Sequence, residues 1–288
     1  MEKNLWSEIG GGEKLLVIPI KTEIVKNPFA LLKFIDHYLS PYELMEGDVL
    51  VVSSKIVSIA YGRVIALGSV VVSEEARALS NEFSVEERFA EVVLEEADLV
   101  IGGVSKVITT IKNNILVAYA GADRSNVPED TVVIWPENPP LVADQIRKHI
   151  LETKQVEIGV IISDSQVVPL RAGTYGVAIG ISGFIGMLDR RGDTDLFGKS
   201  MMVTRWNIAD NLASSANLVM GETSEQVPIV LIKDAPVHLI DKDPTELTNE
   251  LSMDPDECLI FGCMNNWGED IVHSEISHFR RKMKNKNG

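Results

Sequence analysis

Three acids occupy comparable places in this chain, and together they could bind a hard cation. Asp164 ends the apolar run Val160-Ile161-Ile162-Ser163-Asp164-Ser165. Aliphatic and β-branched residues followed by Ser-Asp-Ser read as a buried strand delivering a carboxylate and a hydroxyl to a sheet end, where ligands commonly bind. Asp123 follows the β-rich run Ile115 to Tyr119 in Ala120-Gly121-Ala122-Asp123-Arg124-Ser125-Asn126. Glu222 follows a helical stretch closed by Gly221. Mg²⁺ and Mn²⁺ take oxygen ligands and leave positions open for phosphate, so carboxylates and hydroxyls gathered on one edge of a fold would suit them. Each acid taken alone has a plainer account as a turn or cap residue.

The elements that must position these groups alternate between strand and helix patterns. A first strand is expected over Leu15 to Ile20, and a helix over Ala30 to Ile35 that closes at Ser40-Pro41. Val49-Leu50-Val51-Val52 has no polar interruption, so its strand must be covered on both faces, with Ser53-Ser54-Lys55 as the following loop. Glu74 to Asp98 reads as helical, with Phe89, Val92 and Val93 on the core stripe. Val104 to Ile111 and Ile115 to Tyr119 form a hairpin candidate across Lys112-Asn113-Asn114. The proline-rich connector Trp135 to Pro140 leads into a helix over about Leu141 to Leu151. Gly173, Gly176, Gly180 and Gly183 match neither phosphate-loop nor dinucleotide spacing, and glycines in a strand mark bulges or close backbone packing. A long helix is expected over Thr204 to Met220, stopped by Gly221, and a last strand over Val227 to Ile232. The fold class is α/β, or mixed α+β, with mixed sheets flanked by helices. One domain is expected over 1–240, with 241–288 as a C-terminal extension packed on it.

Bulk composition excludes several classes. The 288 residues are 45% hydrophobic and 24% charged, which is ordinary for a globular protein. A formal charge of −15 repels nucleic acid, and the basic cluster Arg280 to Lys286 reads as a solvated end. No run of eighteen apolar residues occurs, and Met1 to Trp6 lack the start of a signal peptide, so a cytoplasmic, non-membrane protein is expected. Cys258 and Cys263 are the only cysteines, and the five histidines, His37, His149, His238, His273 and His278, lack zinc spacing. No Gly-x-Ser-x-Gly elbow offers a nucleophilic serine.

Six blocks then occur in a telling order: Gly47 to Lys55, Ala120 to Val127, Ile162 to Ser165, Gly173 to Gly180, Asp195-Leu196-Phe197-Gly198-Lys199, and Asn217 to Glu222. Over roughly residues 15 to 235 the chain resembles the coenzyme F420-0:L-glutamate ligase family. The resemblance implies a homodimeric, GTP-dependent amide ligase that adds L-glutamate to a deazaflavin carboxylate through an acyl phosphate. It implies two Mg²⁺ or Mn²⁺ ions, with K⁺ as a further cation to expect. By position, Asp123 and Asp164 match ligands of one metal, and Ser165 and Glu222 match ligands of a second. Ser53, Ser54, Lys55, Asn126, Gly221 and Glu222 match nucleotide contacts, residues 221–227 line the nucleotide, and Asp164 and Arg171 are the catalytic candidates.

The departures are local. Ser58-Ile59-Ala60-Tyr61-Gly62-Arg63 carries Ile59 where the family has a lysine. Gln166-Val167-Val168-Pro169-Leu170-Arg171 replaces a Phe-Gly-Arg-like stretch, and Lys21 to Lys26 lack the usual Gly-Leu-Pro pattern. They leave open ATP against GTP and the identity of the acceptor. They also motivate an alternative, a nucleotide or phosphoryl-ligand binding protein without ligase turnover.

Overall fold

The computed structural model describes residues 14–255 and 257–264, and contacts divide these into two units. The first holds residues up to Val64 and Arg124–Leu251; the second holds Ile65–Asp123 and the residues after Leu251. The basic cluster at 280–286, His273 and His278 lie outside the described residues.

The first unit is built on a five-stranded mixed sheet. Its strands are β1 (Leu16–Ile20), β2 (Val49–Ser53), β8 (Gly159–Gln166), β9 (Tyr175–Ser182) and β12 (Ile229–Lys233), in the order β1-β12-β2-β8-β9. Only the β2/β8 pair is parallel, in the register Val52 opposite Ile162 and Ser53 opposite Ser163. Val49 to Val52 and Val160 to Ile162 are fully buried, as uninterrupted apolar strands in a sheet covered on both faces must be. One face is covered by α6 (Ile208–Met220), whose Ala209, Leu212, Ala213 and Ala216 pack with Val49, Val51, Ile161, Val230 and Ile232. The small residues let the helix approach closely, and so do the strand glycines. A Cβ on Gly176 would stand 2.3 Å from the Ala213 carbonyl oxygen. Gly180 faces the other way: its Cβ would meet the backbone of Pro139 at 2.4 Å, at the start of α5 (Pro139–Lys154). Gly176 and Gly180 thus mark close packing on two sides of β9, one of the two roles expected of strand glycines, whereas Gly173 has open space around it. A bulge that skips Ile179 between the pairs Ile162/Gly180 and Ser163/Ala178 makes this reversal possible.

The remaining elements of this unit are α1 (Leu31–Leu39), α2 (Ser54–Ala60), β7 (Thr131–Val133), the hairpin of β10 (Met187–Asp189) with β11 (Arg205–Asn207), and α7 (Pro244–Asn249). β3 (Val64–Ala66) carries the chain out of it. A network centred on buried Arg147, Asp144 and Ser182 links its parts: Arg147 on α5 donates to Asp144, Ser182 and the exposed Asp241, and the exposed Lys148 pairs with Asp144.

The second unit pairs α3 (Glu74–Phe83) and α4 (Glu87–Glu96) with the antiparallel meander β4 (Leu99–Val104), β5 (Val107–Lys112) and β6 (Ile115–Ala118). Phe83, Phe89, Val92, Val93 and Ile108 are buried in it. Asn113 and Asn114 both have positive φ, the requirement of a tight type I′ hairpin turn. The last described helix is α8 (Leu259–Met264). Among the described residues no helix is long and apolar enough to cross a membrane.

Four expectations needed correction. Ser54 and Lys55 open a helix and are not a loop; β-branched Ile56, Val57 and Ile59 argue against helix locally, but their burial overrides that preference. The stretch 74–98 is two helices, because Ser84 turns left-handed at φ 55°. Leu99–Val104 is a strand that the sequence reading missed. The expected helix from Thr204 begins only at Ile208, since residues 205–207 pair with β10 and Asn207 caps the helix by accepting from Asp210 N.

Candidate functional site

The C-terminal end of β8 presents different groups on its two faces. Side chains alternate along a strand, and Ile161 packs under α6, so Ser163 and Ser165 point to the α6 side. Asp164 and Gln166 point to the opposite side, with Val160 and Ile162.

Asp164 is held from two directions. Ser54 Oγ donates to its Oδ1 at 3.1 Å, and Trp135 Nε1 donates to its Oδ2 at 2.5 Å. The first donor is there because β2 and β8 run parallel and in register: Ser53 lies opposite Ser163, and α2 starts one residue later. The second is there because the strand β7 and the buried run Ile134-Trp135 precede α5, leaving the indole only 1% exposed. Arg63 fixes that segment in turn, donating from Nε to the Trp135 carbonyl at 3.2 Å and accepting from Ile134 N. Both carboxylate oxygens are therefore held in a fixed direction by side-chain donors from two separate elements.

On the α6 side, Ser165 sits opposite Gly176. Gly176 lies against Asn217, whose Nδ2 donates to Glu222 Oε1 at 2.9 Å; Thr174 Oγ1 donates to the same oxygen at 2.8 Å. Gly221, at φ 73°, turns the chain out of α6 and places Glu222 immediately past the helix. Asn126, itself left-handed at φ 55°, donates from Nδ2 to the Thr223 carbonyl at 2.6 Å and so ties its loop to segment 221–227. Lys55 Nζ reaches the same loop, donating to Ser125 O and Oγ.

The structure thus brings Ser54 to Asp164, Lys55 to the loop of Asn126, and Asn126 to the residues after Gly221. Ser53 lies where β2 gives way to α2, with its backbone N–H on Pro228 O. Arg171 is on an exposed turn, its N–H on Val168 O. Asp123 belongs to the second unit and follows the 3₁₀ turn Tyr119–Gly121, not a strand end as the sequence had implied. Among the described residues no three His, Cys, Asp or Glu side chains form a ready metal-ligand cluster. Ile59 is buried in α2. Trp135, Thr174 and Asn217 were missed as supporting residues. For Trp135 the available signal was an aromatic directly after the buried run Val132-Val133-Ile134, which the proline-rich connector concealed.

Residues 19–234 match the family described as F420-0:Gamma-glutamyl ligase. The chain belongs to this family. The stretch contains every residue placed above, and membership makes the chain an acid–amino-acid ligase. The coenzyme F420:L-glutamate ligase of Methanopyrus kandleri is 40% identical over 192 residues, covering 66% of this chain and 76% of that protein. The coenzyme F420:L-glutamate ligase of Methanocaldococcus jannaschii is 38% identical over 200 residues, 69% of this chain and 80% of that protein. One from Methanococcus maripaludis is 35% identical over 241 residues, covering 82% of this chain and 97% of its own length.

Several of the sequence blocks lie at or beside element ends: Ser53 to Lys55 at the β2–α2 junction, Asp164 and Ser165 near the end of β8, Gly173 to Gly180 leading into and along β9, and Gly221 and Glu222 past α6. The block Asp195 to Lys199 forms the tip of the β10–β11 hairpin, closed by Asp195 Oδ1 accepting from Phe197 N and Lys199 N.

Proposed function

We propose that this protein is a GTP- and divalent-metal-dependent ligase that joins L-glutamate to a carboxylate of a deazaflavin coenzyme of the F420 type. The observation that carries this is Asp164, oriented at the end of β8 by Ser54 and Trp135 in a chain whose relatives are named for that reaction. The reaction consumes the acceptor carboxylate and the γ-phosphoryl group of GTP to give an acyl phosphate and GDP. The glutamate amine then attacks the acyl carbon, an amide forms, and phosphate and a proton leave.

The donor set fits Mg²⁺ or Mn²⁺. The side chains of Asp164, Ser165 and Glu222 offer only oxygen, the donor type these hard cations take. Asp164 and Ser165 would hold cations from the two faces of β8, with Glu222 on the α6 side. Bound there, the cations would neutralise charge on the transferring phosphoryl group. The chain's own groups orient the site. Ser54 and Trp135 fix Asp164, Thr174 and Asn217 fix Glu222, and Asn126 holds the 221–227 segment that would line the nucleotide. Lys55, in the first turn of α2, adds positive charge on the Asn126 side. Arg171 is the further cation for an anionic reactant, and K⁺ would be an accessory ion.

A cytoplasmic homodimer completes the proposal. Leu196, Phe197, Met202 and Val203 are exposed on the β10–β11 hairpin, which supports a self-association surface there, testable by light scattering. The central experiment incubates the full chain with GTP, Mn²⁺, L-glutamate and the deazaflavin acceptor, and follows the added glutamate by mass spectrometry. Product formation that Asp164→Asn abolishes is expected. GTP binding without product from the unaltered chain would instead establish the binding-only alternative, and loss of neither product nor Mn²⁺ binding in Asp164→Asn would refute the assignment of Asp164.

A further inference from the structure

Gln166 is the last residue of β8, two positions beyond Asp164 and on the same face. It is the only polar side chain in Gln166-Val167-Val168-Pro169-Leu170. The residue is 5% exposed, and its Nε2 is buried without a hydrogen-bond partner. A desolvated amide donor with nothing to donate to is costly, and such a group calls for a ligand or water that completes it. Purely structural demands would favour an apolar residue here, as at Val160 and Ile162 on the same face.

Its location says what would complete it. Residues two apart on one face of a strand are separated by roughly 7 Å, so an oxyanion held beside Asp164 can present another of its oxygens to the amide. Val167, the next residue, is 54% exposed, which places Gln166 at the rim where the strand leaves the core. A neutral donor there favours an anionic acceptor over an ammonium group, because the amide nitrogen has hydrogens to give and no lone pair to accept with.

We propose that Gln166 is a specificity-determining residue whose carboxamide N–H donates to an anionic oxygen, phosphoryl or carboxylate, of a reactant bound beside Asp164. The proposal rests on the reading of this strand end as the reaction site. The bond is made when a reactant arrives, so the protein carries the desolvation cost of the buried donor beforehand and the reactant gains it back on binding.

The test compares the full chain with Gln166→Met, which keeps side-chain length and loses the donor. Titration calorimetry is run with GTP and Mg²⁺ in one arm and with the deazaflavin acceptor in the other, alongside thermal unfolding of both ligand-free proteins. Gln166→Met is expected to weaken binding in one arm by about tenfold, the scale of a hydrogen bond to a charged acceptor, while its Tm is unchanged or higher. Weaker GTP binding identifies a phosphoryl oxygen, and weaker acceptor binding identifies a carboxylate. Equal affinities in both arms overturn the proposal, and a lowered Tm with equal affinities makes Gln166 a structural residue instead. If the unaltered chain binds neither ligand, the functional reading fails first and this proposal falls with it.

Discussion

Trp135→Phe isolates the orientation of Asp164 from the rest of the site. The substitution keeps an aromatic ring in a fully buried position and deletes the Nε1–H that donates to Asp164 Oδ2. Two costs follow, and they appear in different measurements. Shrinking the ring leaves a small void, worth about 1–2 kcal/mol of stability, below the roughly 3–5 kcal/mol for complete truncation of a buried aromatic. Losing a hydrogen bond to a charged group costs roughly 1.5–3 kcal/mol, which falls on the carboxylate's fixed geometry. At about 1.4 kcal/mol per factor of ten, kcat/KM for ligation should fall by roughly 10- to 100-fold. Ser54→Ala removes the donor on Oδ1, from a side chain whose loss opens almost no void, and should show a similar kinetic loss with a smaller change in Tm. The assay is ligation kinetics on both single variants and the double variant, with urea unfolding at the same pH. Because the two donors hold one carboxylate, their kinetic effects should be less than additive. A Trp135→Phe protein with the expected stability loss and less than a threefold change in kcat/KM would refute the claim that this hydrogen bond orients a working group.

Gly176→Ala should destabilise the first unit by about 1–3 kcal/mol, the usual cost of overpacking, because the new methyl meets the Ala213 carbonyl and Asn217 Cβ and α6 must move away; urea unfolding measures this, and Glu222 should be displaced with the helix. Arg147→Met should cost about 3 kcal/mol by leaving Asp144 with less compensation in a buried site, although Lys148 still pairs with it; Tm checks this. Asp210 has its carboxyl raised above the ordinary aspartate value by burial, opposed by its hydrogen bonds to Ala178 N and Asn207. The folded state then holds the proton more tightly than the unfolded chain, so this contribution to stability is complete below the unfolded value of 3.8 and is lost as pH rises through the raised folded value. Asp210→Asn should remove that slope from a plot of unfolding free energy against pH, and an unchanged slope would refute the assignment.

The apolar strands were legible because their requirement is stark: Val49 to Val52 and Val160 to Ile162 have no polar face to offer water, so only a sheet covered on both sides can hold them. Gly221 was legible for a similar reason, since a helix ending in glycine has few other conformations to adopt. The start of α2 was not. Ser53-Ser54-Lys55 has turn composition and the following residues are β-branched, so the helix exists because burial of Ile56, Val57 and Ile59 outweighs local preference. The role of Ser54 depended on this helix, since a hydroxyl in a loop has no fixed relation to Asp164. Trp135 was obscured differently. Its neighbours Pro136, Pro139 and Pro140 mark a connector, and nothing in one sequence says that a connector's aromatic turns inward to reach an acid 29 residues later.

The opposite orientations of Asp164 and Ser165 also constrain how the site can work. Adjacent residues on a strand cannot direct their side chains into one cavity above a single face, so a site using both must lie at the strand's end and wrap its edge. The surrounding sequence agrees with that geometry. Asp164 is supported by α2 and the β7–α5 connector, whereas Ser165 shares its face with Gly176, Asn217 and Glu222, which are supported by α6. Two groups of supports on two faces would position two centres of charge separately, an arrangement that the proposed phosphoryl transfer followed by amine attack could use. It follows that damage on one face should leave the other face's ligand in place. Glu222→Gln should therefore weaken binding at its own side while the Ser54 and Trp135 donors still orient Asp164, and Mn²⁺ titration of that variant should retain one class of binding site and lose the other. Loss of both classes together would show that the two faces act as a single unit.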